Sequence, residues 1–108
     1  MKPVRIGFID ERVKKQYISL KESKSEKDLL RFVNRALLEL KNNPQCGIRV
    51  PDKLILKEYK NMGVTNIWKY NLPDAWRLLY SITGDKIKIV CVILDWMNHK
   101  QYERKFKY

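Results

Sequence analysis

The 108-residue chain holds one histidine, two cysteines, four glycines and four prolines. A single histidine, His99, excludes two-histidine acid–base pairs and multi-histidine metal sites. Cys46 and Cys91 lack CxxC spacing and read as two free thiols, so neither a disulfide scaffold nor a thiolate metal site is expected. With so little glycine and proline there is no linker and no repeat, and residues 1–108 read as one domain, since domains usually run to roughly 100–150 residues. Long apolar runs are missing too. The longest, Ile89–Leu94, has a strand's length and falls far short of the roughly 20 residues that a bilayer needs. The segment Met1–Gly7 is charged early and has no apolar stretch of signal-peptide length. A cytoplasmic protein with no membrane association is therefore expected. P-loop, GxGxxG, HExxH and nucleophile-elbow motifs are absent, so no metal and no cofactor is expected.

What the chain does have is positive charge. Against 12 Asp+Glu stand 23 Lys+Arg, a formal net charge of +11. Apolar residues make up 44% and aromatics 11%, too much for a disordered basic tail, so the charge sits on a folded domain. Such a domain calls for a polyanionic partner: nucleic acid, a ribosome, an acidic protein or a membrane surface. A merely Lys-rich surface is the plainer explanation. The charge is uneven, however: His99 to Lys107 carries four Lys/Arg against one Glu.

The pattern along the chain predicts an α+β domain. Val4–Ile9 alternates with period two and reads as a strand with Val4, Ile6 and Phe8 on one face. Asp10 is placed to cap a following helix whose inward stripe is Val13, Tyr17 and Leu20. Ser23 to Glu26 reads as a capping box, and Leu29, Leu30, Val33, Leu37 and Leu40 follow at helical spacing until Asn43-Pro44 and Gly47 stop the helix. Residues 10–42 thus form a two-helix hairpin. Over 48–63, a short helix from Pro51-Asp52 to Gly63 and a strand are both open.

From Ile67 onward the chain reads as a three-stranded antiparallel meander that completes one sheet with the helices on one face. Its turns are Pro73-Asp74 and Gly84-Asp85. A two-residue turn at Gly84-Asp85 pairs Leu78 with Cys91 and Arg77 with Val92. Trp76, Leu78, Tyr80, Ile82, Ile87, Ile89, Cys91 and Ile93 then share the apolar face, with Val90, Val92, Leu94 and Arg77 on the outer one. A three-residue connection at Pro73-Asp74-Ala75 puts Lys69 and Arg77 on one face, and a two-residue turn puts them on opposite faces. A short basic helix ends the chain.

The candidate chemical groups are mostly cations: Lys69 and Arg77 on the meander, then His99, Lys100, Arg104 and Lys105 after it, with Tyr102 among them. Cations without paired carboxylates or metal ligands suit the stabilisation of a phosphate. RNA offers a reaction that needs neither metal nor enzyme nucleophile, because its own 2′-hydroxyl attacks the adjacent phosphorus. Arginine suits the growing charge, since its planar fork binds two phosphate oxygens.

Strand, helix hairpin and an antiparallel run containing Trp76-Arg77-Leu78-Leu79-Tyr80-Ser81-Ile82, with a basic end Ile93 to Tyr102, together resemble the RelE/ParE toxin superfamily of type II toxin–antitoxin systems. The segment Asn66 to Arg77 is similar to a RelE-like branch common in archaea. The resemblance is carried by residues 64–104, and over residues 1–45 by element order alone. It implies a ribosome-dependent mRNA endoribonuclease in which Arg77 stabilises the transition state, Lys69 is general base, His99 is general acid and Tyr102 orients or stacks on RNA. Asn71, Lys100, Arg104 and Lys105 would contact RNA. Asn71 stands where some members carry a second lysine, and Met97 where some carry another arginine. The implied partners are mRNA on the ribosome and an acidic antitoxin covering the basic site and the outward Val90, Val92 and Leu94. Two other readings share the fold: a non-catalytic RNA- or ribosome-binding module, and a ParE-type gyrase inhibitor.

Overall fold

A computed structural model describes residues 2–106. Lys107, the last of the basic residues at the C-terminal end, lies outside them. The chain is α+β, with a five-stranded sheet in the order β1-β5-β4-β3-β2. Strand β1 (Val4–Phe8) runs parallel to β5 (Ile89–Asn98), and β5, β4 (Trp76–Gly84), β3 (Ile67–Asn71) and β2 (Ile48–Val50) pair antiparallel, so the sheet is mixed.

Helix α1 (Glu11–Glu22) begins where Asp10 Oδ1 accepts from Val13 N at 2.9 Å, the cap that the sequence predicts. Helix α2 (Lys27–Asn42) starts later than the capping box implies. Ser23 Oγ does accept from Glu26 N at 3.2 Å, but Ser23 ends α1 and Glu26 has no side-chain cap bond. Only half of the box forms, as a bridge between the helices. Val13, Leu20, Val33, Ala36 and Leu40 bury their side chains against Leu78, Tyr80, Cys91, Ile93 and Trp96. Tyr80 is wholly buried, and its hydroxyl donates to Pro44 O at 2.6 Å and accepts from Gly47 N at 3.1 Å. That pins the loop after α2 to the middle of the sheet.

Residues 48–63 take both forms that the sequence left open. Ile48–Val50 is an edge strand, and α3 (Lys57–Asn61) is a short helix ending near Gly63. The β4–β5 register departs from the two-residue turn. Gly84 pairs with Ile89, so the loop is Asp85–Lys88. The reason is local: Asp85 Oδ1 accepts from Ile87 N and Lys88 N at 2.8 and 3.0 Å, which closes a longer turn. These bonds also hold the Asp85 carboxyl below its usual pKa. A shift of four positions is even, so the helix-side face of β4 keeps its residues, although Ile87 leaves the sheet and is 76% exposed. A bulge between Leu79 and Tyr80 then leaves Leu94 unpaired, and Leu78 faces Trp96 and Arg77 faces Met97.

The outer face is not bare. Leu79, Leu94 and Met97 build a second core with Val50, Ile55, Tyr59, Val64, Ile67, Tyr102 and Phe106, under α3 and α4 (His99–Phe106). Leu94 is 0% exposed and Val92 packs against this cluster. The chain's own C-terminal helix thus covers residues that the sequence offered to a partner.

Candidate functional site

Strands β3 and β4 are joined by a 3-10 turn over Pro73–Ala75, the three-residue connection that puts Lys69 and Arg77 on one face. Asn71 pairs with Arg77 and Lys69 with Leu79. Asp74 and Ala75 hold positive φ, 58° and 62°, a left-handed pair that non-glycine residues adopt at a cost. The strained turn lies immediately before β4, one residue from Arg77.

Both cations meet the same aromatic ring. Lys69 Nζ lies 5.4 Å and Arg77 Cζ 6.0 Å from the ring centroid of Tyr102, within cation–π range. Tyr102 itself is 3% exposed and packs tilted against Phe106 in the second core, centroids 4.8 Å apart. Its ring is thus a floor beneath the two cations, and base stacking on it would require it to leave the core. Arg77 is half-buried, and its Nη1 donates to Trp76 O at 3.2 Å. Asn71 is exposed at the rim, opposite Arg77.

The remaining predicted residues lie along α4 with different partners. His99 opens the helix, and its Nε2 sits 2.8 Å from Glu103 Oε1 one turn on. Lys100 and Arg104 are exposed, and Arg104 borders an open cleft with Gln16, Asp95 and Gln101. Lys105 clamps α4 to α3: its Nζ pairs with Glu58 Oε1 at 3.0 Å and lies 5.0 Å from the Tyr59 ring. Burial alone would lower the Lys105 pKa, but the hydrogen bond to Glu58 and the contact with Tyr59 raise it above the usual lysine range. No group of three or more His, Cys, Asp or Glu able to hold a metal ion occurs among the described residues. Nor is any helix among them long and apolar enough to cross a membrane.

Two further features escape the cation-led reading. Asp95, next to the bulge, has only 16% of its side chain exposed, and desolvation lifts its pKa even though Trp96 N and Arg12 pull it down. Its Oδ1 accepts from Trp96 N at 2.9 Å, while Gln101 Oε1 accepts from Asn98 N at 3.0 Å. These side chains occupy backbone donors on β5 beyond the end of β1. An acid just after six apolar residues was the visible signal. The second feature is a cleft beside β3, lined by Arg31, Phe32, Arg35, Glu39, Tyr70 and Asn71. Its signal was the four-residue spacing of Arg31, Arg35 and Glu39 on one face of α2.

Compared with known protein families, with curated proteins and with solved structures, the chain matches none.

Proposed function

We propose that this chain is the toxin of a type II toxin–antitoxin pair, a cytoplasmic, metal-independent endoribonuclease that cuts mRNA on the ribosome. The observation that supports this reading most is the placement of Lys69 and Arg77 over the one buried ring of Tyr102. Two cations held on one face by a rigid strand pair suit a phosphate whose charge grows in the transition state. In the proposed reaction Lys69 enters as its neutral amine: the RNA 2′-oxygen gives its proton to it, which makes the ammonium cation beside the phosphate, and bonds to the adjacent phosphorus. The bond to the 5′-oxygen breaks and that oxygen takes a proton from His99, leaving a 2′,3′-cyclic phosphate and a 5′-hydroxyl. Arg77 holds the two non-bridging oxygens with its planar fork. To act as acid, His99 must turn Nε2 away from Glu103 or donate through Nδ1. Tyr102 serves this reaction by positioning the cations, and Asn71, Lys100 and Arg104 by contacting RNA. An acidic antitoxin would silence the basic face through charge, since Leu94 and Val92 belong to the chain's own core.

The engagement of His99 by Glu103 favours one competing reading, an RNA- or ribosome-binding module without catalysis. The test is to add the purified protein to translating ribosomes and map new mRNA 5′ ends, with Arg77→Ala alongside. Cuts clustered at one codon position and absent with the variant are expected. A folded, ribosome-bound wild type that makes no cuts would overturn the endoribonuclease and leave the binding module.

A further inference from the structure

The cleft between α2 and β3 has a volume of about 470 Å³ and sits at the same end of the sheet as Arg77. Tyr70 and Asn71 are consecutive on β3, so their side chains face opposite sides of the sheet. Asn71 stands across from Arg77, while the Tyr70 ring packs towards α2. The cleft and the cationic pair thus back onto each other round the end of β3, with Asn71 and Pro73 on the cleft's rim.

Its chemistry is that of a nucleotide subsite. Arg31 and Arg35 lie one helical turn apart, with side chains 68% and 79% exposed. Each pairs with a neighbour on its own helix, Arg31 with Asp28 at 3.0 Å and Arg35 with Glu39 at 3.3 Å, and such exposed pairs are readily exchanged for a phosphate. The apolar lining comes from Phe32, Tyr70, Leu72 and Pro73. The Arg31 guanidinium lies 5.4 Å from the Phe32 ring centroid, so a base comes to rest against Phe32 and Tyr70 as Arg31 swings onto its phosphate. Glu39 is the carboxylate in the lining among the described residues: the Tyr70 hydroxyl donates to one oxygen and Arg35 to the other, and the Tyr70 bond still holds it when Arg35 turns to a phosphate. Held by Tyr70 on the β3 side, this carboxylate is outnumbered by Arg31 and Arg35, and the two guanidiniums set the sign seen by an anion.

We infer that this cleft binds one nucleotide of a single RNA strand, its phosphate on Arg31 and Arg35 and its base against Phe32 and Tyr70, next to the nucleotide held at Arg77. The inference rests on the RNA-cleaving reading for the neighbouring site, but its test does not. The probe is a short, fully 2′-O-methylated single strand, which has no 2′-hydroxyl to attack, so binding is read without cleavage. Arg31→Ala/Arg35→Ala is compared with Lys14→Ala/Lys15→Ala, which removes the same charge from exposed positions on α1. The cleft variant is expected to lose about tenfold in affinity and to lower the salt slope by roughly 0.7 for each phosphate it no longer neutralises, with the control changed by less than about twofold. Equal losses in the two variants, or none in the cleft variant, would overturn the subsite. So would Arg31- and Arg35-dependent capture of a polyglutamate peptide in preference to the RNA, which marks an acidic protein as the occupant. If the cleft variant loses RNA while wild type cuts nothing on ribosomes, the subsite stands and the endoribonuclease falls. If it loses nothing while Arg77→Ala abolishes cutting, the reverse holds.

Discussion

Tyr102 shows how one buried side chain can underlie two cations. Its ring lies beneath Lys69 and Arg77, so the two substitutions Tyr102→Phe and Tyr102→Leu separate ring from bulk. Tyr102→Phe keeps the π-face and is expected to retain cleavage within a few-fold. Tyr102→Leu keeps apolar bulk but removes the platform, so kcat is expected to fall more than KM while the fold persists with about 1–3 kcal/mol less stability. Ribosome cleavage rates and thermal melts check both, and equal activity in the two variants would show that the ring positions nothing. Asp95 carries a different prediction at the same scale. Desolvation raises its pKa, so the fold favours the protonated acid, and the ionised form costs stability above that raised pKa. The sign follows: the penalty disappears as pH falls through the raised pKa towards the ordinary 3.8. Asp95→Asn still offers an acceptor to Trp96 N and is expected to melt higher than wild type at neutral pH, the difference shrinking in acid. An unchanged or lower melting point at neutral pH sinks this account.

At the scale of elements, the close approaches decide what can be changed. A Cβ on Gly47 would lie 2.7 Å from Lys69 O and 2.7 Å from the Tyr80 hydroxyl, both fixed by the sheet. Gly47→Ala is therefore expected to push β2 off β3, costing about 2 kcal/mol and disturbing the strand that carries Lys69. Circular dichroism melts together with ribosome cleavage check it, and wild-type values for both would show that the contact yields. The helix hairpin, β1 and the three late strands were legible from the sequence, because apolar spacing reports the face that an element buries. So was the shared face of Lys69 and Arg77, which follows from counting residues through Pro73–Ala75. The β4–β5 register was not legible, since it depends on Asp85 capping its own loop and on a bulge at Leu79/Tyr80, neither of which alters the alternation of apolar residues. The second core was hidden for a related reason. Val92 and Leu94 looked outward on a sheet with one helical layer, and only tertiary contact places α4 over them. The cleft at Arg31, Arg35 and Glu39 was not legible either, because its other wall is β3 and only tertiary packing brings the two together.

For the whole molecule, the question is whether a net charge of +11 marks a surface that only binds or one that also reacts. Both kinds of protein hold RNA through phosphates, and both lose affinity as salt rises, so affinity alone does not separate them. The distribution of loss does. In a pure binding module each lysine or arginine contributes a comparable share, and Arg77→Ala is expected to weaken binding to the same modest extent as any exposed cation. In an enzyme Arg77 meets most of its charge only when the phosphorane forms, so its removal spares binding and destroys the reaction. The half-buried position of Arg77 on the Tyr102 ring, against the open solvent around Lys100 and Arg104, argues for the second pattern. A series of single alanine variants at Arg77, Lys69, Lys100 and Arg104 is therefore expected to split. Lys100→Ala and Arg104→Ala should each lower affinity for an uncleavable strand about two- to threefold and reduce the salt slope by roughly 0.7. Arg77→Ala should leave affinity within about twofold, yet slow cutting on ribosomes by at least about a hundredfold, in line with the loss of a transition-state donor. Uniform losses in binding and cutting across the series would place the chain among proteins that hold RNA without changing it.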